Sequence, residues 1–213
     1  MVTELILVRH GEIDANVQRL WYGTTDSELN QTGTRQAAAL GQRVHDKYPN
    51  ITKVYCSPLK RTLNTAKALA EGIQQTPELC RDLIEYGIGE LEGTSHHDLH
   101  EVHDFFTHIA KSQDYALPGG ESVNDVSRRV TRAVDRMIAD HPGERVALVG
   151  HGAAFGILLA TLLDGKPFPF SGRHLSNTGI AHLRVGDSVE LIGFDDTEHL
   201  YGLLDEPAGV PLS

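Results

Sequence analysis

At 213 residues the chain is long enough for one sizeable hydrophobic core, and 23% charged with 40% hydrophobic residues is the composition of a soluble globular domain, which excludes a disordered one. Its 29 acidic against 19 basic side chains give a net charge of −10, which disfavours nucleic acid and anionic membranes as partners, because both reward a basic footprint. The two cysteines, Cys56 and Cys80, are too few for a disulfide framework and read as free thiols in a reducing compartment.

No basic segment followed by a long apolar stretch opens the sequence, so no signal peptide is expected and the reading is cytoplasmic. Glu4 to Val8 (ELILV) predicts a buried parallel strand that breaks at Arg9-His10-Gly11. Residues 11–31 are polar and rich in Gly, Asn, Asp and Thr, hence a loop. Ala37, Leu40 and Val44 at helical spacing predict a helix from Thr32 to Tyr48. Ile51 to Cys56 is a second strand, and Ser57-Pro58, as cap and first-turn proline, opens a helix running to about Ile73. Residues 76–95 read as irregular, and one helix is expected from His96 to Ala110.

Pro118-Gly119-Gly120 marks a turn, after which Ser122 precedes a long helix to about His141, with Val123, Val126, Val130, Val134 and Met137 on one face. Val146 to Leu163 is apolar enough to mimic a membrane span. His151 between two glycines, with Thr161 near the end, fits a strand (Val146–Val149), a tight turn and a buried helix (Gly152–Leu163) better. Ile180 to Val185 and Val189 to Phe194 are two closing strands, and the last ten residues, with two prolines and a glycine, are expected to fray. Strands alternating with helices predict an α/β fold with a parallel or mostly parallel sheet covered on both faces.

In such sheets ligands bind beyond the carboxyl ends of the strands. Two predicted strands end there in His-Gly, LVRHG over 7–11 and LVGHG over 148–152. One such histidine is more often a satisfied buried side chain than a reactive one. Two at equivalent ends, one preceded by Arg9, define a candidate site, where the glycines permit close approach and the helix after His151 offers its N-terminal amides to an oxyanion. CSPLKRT, over 56–62, brings Arg61 to the same rim, the alternative being a solvated helix residue. Glu85, before the glycine-rich YGIGELEG, is a candidate acid on a weak signal, with Glu12, Asp14 and Asp82 as rivals.

Taken in order, LVRHGEIDAN (7–16), LNQTGTRQA (29–37), CSPLKRTLNTA (56–66), LIEYGIGELEG (83–93), PGGES (118–122) and VGHG (149–152) resemble the histidine phosphatase superfamily, also called phosphoglycerate mutase-like. The resemblance implies a three-layer α/β sandwich, one domain over 1–213 with a small helical cap inserted at about 94–117. It implies that His10 is the nucleophile and becomes phosphohistidine, and that Arg9, Arg61 and His151 are catalytic groups binding the transferring phosphoryl group. Asn16, Gly23 and Gly152 would add phosphate or substrate contacts, and Glu85 would be the proton donor to the leaving oxygen. It calls for no metal and no cofactor, since two guanidiniums and a second imidazole, protonated when phosphate binds, supply the positive charge that phosphoryl transfer needs.

The sequence departs from that pattern in places. Ile13 stands where the family often has Thr or Ala. Ile88, His96 and Ala153 stand where the cofactor-dependent mutase branch has Tyr, Lys and Asn, and the chain is too short for the insertion that carries that branch's adjacent arginines. Arg128-Arg129, in the long helix after PGGES, is not equated with that pair. The balance favours hydrolysis of a small phosphorylated metabolite. A phosphoglycerate mutase is the alternative, and a non-catalytic phospho-ligand binding module the alternative of another class, disfavoured because His10, Glu85 and His151 are all present.

His96, His97, His100, His103 and His108 fall in one predicted helix, and His96, His100 and His103 share a face with Asp104 close by, a spacing that can hold Zn²⁺ or Ni²⁺. A dedicated site normally recruits a ligand from a second element, so the favoured reading is a polar cap helix whose imidazoles are solvated or line the substrate entrance. The cap and the 17–28 loop are expected to decide the substrate. There Trp21 and Tyr22 either stack on a ring or pack, with packing favoured. The sequence identifies neither the substrate nor the oligomeric state.

Overall fold

The computed structural model describes residues 1–203, so the expected fraying of the last ten lies outside the described residues. Apolar runs flanked by polar turns become the strands of one six-stranded sheet. These are β1 (Thr3–Arg9), β2 (Ile51–Cys56), β3 (Glu78–Leu79), β4 (Arg145–Gly150), β5 (Ile180–Val185) and β6 (Val189–Asp196), in the spatial order β3-β2-β4-β1-β5-β6. The first four run parallel, while the closing pair β5 and β6 is antiparallel, so the α/β sheet is mixed but mostly parallel, as the alternation of elements implies.

Alternate side chains of a strand point to opposite faces, and β1 uses both for burial. Leu5 and Leu7 pack with Leu148, Val130, Val134, Ile157 and Leu158 on one side, and Ile6 and Val8 with Leu40, Val44, Val54 and Leu69 on the other. The first set brings α6 (Val123–Asp140) and α7 (Gly152–Asp164) onto the sheet, the second α2 (Gln31–Lys47) and α3 (Lys60–Gly72). Ser122 caps α6 reciprocally with Asp125, and Asn30 caps α2 by accepting from the Gly33 amide. No helix among the described residues is long and apolar enough to cross a membrane.

Three local expectations need correction. The helix after β2 begins at Lys60, with Leu59 at its cap position and no side-chain cap, while the Ser57 oxygen accepts the Leu59 amide and meets His151 Nε2. The single helix expected from His96 is two, α4 (His96–Glu101) and α5 (Phe105–Lys111). The amides of Val102 and His103 both close on the Asp98 carbonyl, and Asp104 turns left-handed at φ 49°, so His103 leaves the helix and does not share a face with His96 and His100. The polar loop 11–31 contains a short helix, α1 (Asp14–Val17), nucleated where the Ile13 amide donates to the Asn16 side chain.

Candidate active site

The register of the sheet assembles the site. β1 and β4 are neighbours with Val8 opposite Val149 and Arg9 opposite Gly150, so His10 and His151 leave the sheet side by side. Their rings lie 5.3 Å apart between centroids, inclined at 64°. Gly11 must be glycine, because a Cβ there would sit 2.6 Å from the Gly33 carbonyl oxygen, where α2 begins. Its amide donates to Thr65 Oγ1 on α3. Blocks distant in the sequence thus converge to fold the chain sharply after His10.

That fold sets the chemistry of His10. Its Nδ1 lies 2.7 Å from the Gly11 carbonyl, which can only accept, so Nδ1 carries the hydrogen and Nε2 keeps the lone pair. Burial, then the charges of Arg61 and Arg9, hold the imidazole well below its ordinary range, against a smaller opposing effect of the Gly11 bond. At neutral pH the ring is therefore uncharged, with a free lone pair on Nε2.

His151 is fully buried and likewise held well below 6.5 by burial and the Arg61 charge, so in this structure it is neutral. Its Nε2 lies 2.9 Å from Ser57 Oγ, and that oxygen already accepts the Leu59 amide. The Ser57 hydroxyl is fully buried and, among the described residues, His151 Nε2 is the acceptor it meets, so its hydrogen goes to Nε2 and Nδ1 carries the ring hydrogen. His151 Nδ1, Arg9 Nε and Arg61 Nε are buried and have no hydrogen-bond partner. An unsatisfied buried donor costs about 1–3 kcal/mol, and three on mutually perturbing residues suit an acceptor-only group such as phosphoryl.

Each guanidinium is aimed by backbone carbonyls. Arg9 Nη1 donates to Leu175 O at 2.9 Å, and Arg61 donates to the carbonyls of Thr25, Tyr22 and Gly23 at 2.7, 3.1 and 2.8 Å. The 23–25 loop is in turn fastened to the Glu92 carboxylate by the amides of Gly23, Thr24 and Thr25. Gly23 thus lies behind Arg61 and does not line the pocket; a Cβ there would meet Tyr86 O at 2.3 Å. Gly152 does line it, and a Cβ there would press on the His174 ring at 2.7 Å.

Glu85 is nearly buried, with 8% of its surface exposed. Its Oε1 accepts the amides of Tyr86 and Ala154 at 2.8 and 2.7 Å, and Oε2 accepts that of Ala153 at 3.0 Å. The first amides of α7, expected to face an oxyanion, are thus occupied by this carboxylate. Arg129 holds the segment in place, donating to the carbonyls of Asp82, Ile84 and Glu85 while paired with Glu121. Among the rivals, Glu12 accepts from Asn30, Asp82 pairs with Arg136 and Asp14 is exposed, and of these four acids only Glu85 lines the pocket.

Asn16 Oδ1 accepts from Ile13 N and Asn177 Nδ2, which leaves its own amide hydrogens for the pocket it lines. Asn177, which also donates to the His10 carbonyl at 3.0 Å, and His174, on the pocket rim, were not foreseen from sequence. Trp21 both packs and forms wall, its Nε1 donating to Tyr86 O at 3.0 Å, and Tyr22 lines the same pocket. Of the five clustered histidines His96 alone reaches the pocket, while Ile88 is buried in the core. Among the described residues no group of three or more His, Cys, Asp or Glu is arranged to hold a metal ion.

Comparison with known proteins shows the family. The family profile described as histidine phosphatase superfamily (branch 1) matches residues 5–192. A probable phosphoglycerate mutase GpmB of Cronobacter sakazakii is 34% identical over 96% of this chain and 96% of its own. A metal-independent phosphoserine phosphatase of Arabidopsis thaliana is 33% identical over 93% and 84% respectively. Among solved structures, the Entamoeba histolytica phosphoserine phosphatase in complex with 3-phosphoglyceric acid superposes with a TM-score of 0.82 at 26% identity, covering 93% of this chain and 99% of that one.

Proposed function

Since the chain belongs to the histidine phosphatase superfamily, we propose that it is a metal-independent phosphomonoesterase of small phosphorylated metabolites, working through a phosphohistidine on His10. The observation that carries this reading is the fixed tautomer of His10, with an uncharged Nε2 beside two guanidiniums. In the first step the Nε2 lone pair attacks phosphorus as the ester P–O bond breaks, and the Glu85 carboxyl gives its proton to the departing oxygen. Glu85 Oε2, which accepts only the Ala153 amide, has the remaining position for that proton.

In the second step a water oxygen attacks phosphorus, the P–N bond returns its electrons to His10, and the water proton passes to Glu85. Arg9, Arg61 and the His151 Nδ1–H gather the equatorial oxygens, whose charge grows in both transition states, and the Asn16 amide adds a neutral donor. Gly152 allows the close approach, and the Gly23 carbonyl acts indirectly, by orienting Arg61. These cations fill the place a metal takes in other phosphoryl-transfer sites. The helices over 96–111 serve as a cap, and the free Cys56 and Cys80 accord with a cytoplasmic enzyme.

Hydrolysis is favoured over mutase action because, beyond Arg9 and Arg61, which serve the phosphoryl group, no Lys or Arg among the described residues lines the pocket. A phosphoenzyme waiting for a phosphoglycerate needs a further cation for the carboxylate. The test is phosphate release from a generic aryl phosphate in EDTA by wild type and His10→Ala. Release that survives EDTA and disappears in the variant is expected; activity abolished by EDTA, or retained by His10→Ala, overturns the reading.

A further inference from the structure

The phosphate pocket is small, about 50 Å³. Beside it lies a second cavity of about 310 Å³, walled by Trp21, Phe106, Ile109, Phe168 and Phe170. Trp21, His96 and His174 line both, so the two cavities adjoin at these three rings. The walls are held firmly. Trp21 is fixed by its bond to Tyr86 O and lies 6.3 Å from Phe106 between ring centroids, and Phe168 and Phe170 meet edge to face at 6.0 Å.

The charges around the chamber are as informative as its shape. Among the described residues lining the two cavities there is no lysine, the only arginine is Arg9 at the phosphoryl position, and the only carboxylate is Glu85. His96 and His174 titrate below the ordinary imidazole range, through partial loss of solvent and the nearby Arg9 charge, so at neutral pH neither offers a cation. A substrate carboxylate entering here meets no cation beyond Arg9, with only neutral donors such as Ser171 on the wall, and lies near Glu85. A flat apolar ring meets aromatic faces and loses water on both sides.

We propose that this aromatic chamber receives the leaving-group end of the substrate, a phosphomonoester whose leaving group is uncharged and ring-bearing, in preference to a carboxylated one such as phosphoserine or phosphoglycerate. The proposal rests on the phosphatase reading above and names the substrate class for that same site. His96 and His174 act as the gateposts between phosphoryl group and ring. The sequence marked the 17–28 loop and the cap as the segments that decide the substrate, and both contribute walls here, Trp21 from the first and Phe106 and Ile109 from the second.

The test compares kcat/KM for 2-phenylethyl phosphate and O-phosphoserine, both alkyl esters, in wild type, Phe106→Ala and Phe168→Ala, with folding checked by circular dichroism. Burial of one phenyl ring predicts a preference of about a hundredfold for the phenylethyl ester. Each variant is expected to reduce that ratio about tenfold. Equal or faster turnover of phosphoserine, or a ratio unmoved in both variants, overturns the chamber while leaving the phosphatase reading intact. If neither ester is hydrolysed, it is the phosphatase reading that fails, and the chamber is then judged by fluorescence of Trp21, the chain's single tryptophan. A change on titration with the phenylethyl ester alone supports the chamber, and an equal response to both esters, or to neither, contradicts it.

Discussion

The Arg129 guanidinium donates to the carbonyl oxygen of Glu85 at 3.0 Å, and through Asp82 and Ile84 it fixes the whole segment that presents this carboxyl to the pocket. If Glu85 protonates the leaving oxygen, its loss matters most where the leaving group is a poor one. Glu85→Gln should lower kcat/KM, which reports the leaving-group step alone, by about 10²–10⁴ for an alkyl phosphate and much less for 4-nitrophenyl phosphate, whose phenolate leaves without a proton. Arg129→Met should show the same leaving-group pattern in weaker form, because it only positions the acid. Equal losses on both esters in the Arg129 variant indicate a purely structural role for that residue.

The pH behaviour of His10 follows from its surroundings. Burial and two neighbouring guanidiniums keep the imidazole well below 6.5, so it is uncharged at neutral pH and gains a proton only as the pH falls through that lowered value. In an NMR titration the ring resonance missing from His10→Ala should keep its neutral position as the pH is lowered through 6.5. A midpoint at or above 6.5 contradicts the account. This readout avoids the substrate's own second ionisation, which falls near pH 6 and would confuse a rate profile.

Ser57 settles which nitrogen of His151 bears the hydrogen. Without that hydroxyl the buried Nε2 loses its partner and the ring can adopt either tautomer. Ser57→Ala should cost about tenfold in kcat, equivalent to roughly 1.4 kcal/mol. Nitrogen-detected NMR should show His151 protonated at Nδ1 in wild type and mixed in the variant; an unchanged tautomer removes this role from Ser57.

Away from the site, Asp196 ties β6 to α2. Burial works to raise its pKa, but hydrogen bonds from Lys47, the Glu198 amide and Arg43 prevail and hold it at about 2. A depressed folded-state value stabilises above the unfolded-state value of 3.8, and that contribution disappears as the pH falls towards 2. Asp196→Asn should therefore reduce stability by roughly 2 kcal/mol at pH 7 in urea unfolding, and by progressively less below the unfolded-state value. A deficit that is the same in acid as at pH 7 contradicts the assignment.

Much of this arrangement was readable in the sequence because short apolar runs are cut by His-Gly at the same end of two neighbouring parallel strands. The pairing of Arg9 with Gly150 then brings His10 beside His151. The less legible parts depend on distant contacts. Nothing near Asn177 marks it as the group that holds both Asn16 and the His10 carbonyl, which lies far away in sequence. His174 sits in an irregular segment with no periodicity to place it. The break between α4 and α5 carries no Gly or Pro, because the left-handed turn is made by Asp104, and the reading of one histidine-bearing helix fails there. The first amides of α7 look free from sequence, and only the fold shows that Glu85 occupies them. The family resemblance implies a binding role for Gly23, yet its Cβ position faces Tyr86 O and it does not line the pocket.

The central claim is a covalent phosphoryl group on His10, and the most direct measurement traps it. Enzyme mixed with excess aryl phosphate and quenched within milliseconds in alkaline denaturant, which preserves phosphohistidine, should carry one phosphoryl group that tandem mass spectrometry places on His10. The signal should be absent from His10→Ala and should accumulate where water attack is slowed. Turnover without any phosphorylated protein, or with the phosphoryl group on a residue other than His10, contradicts the mechanism.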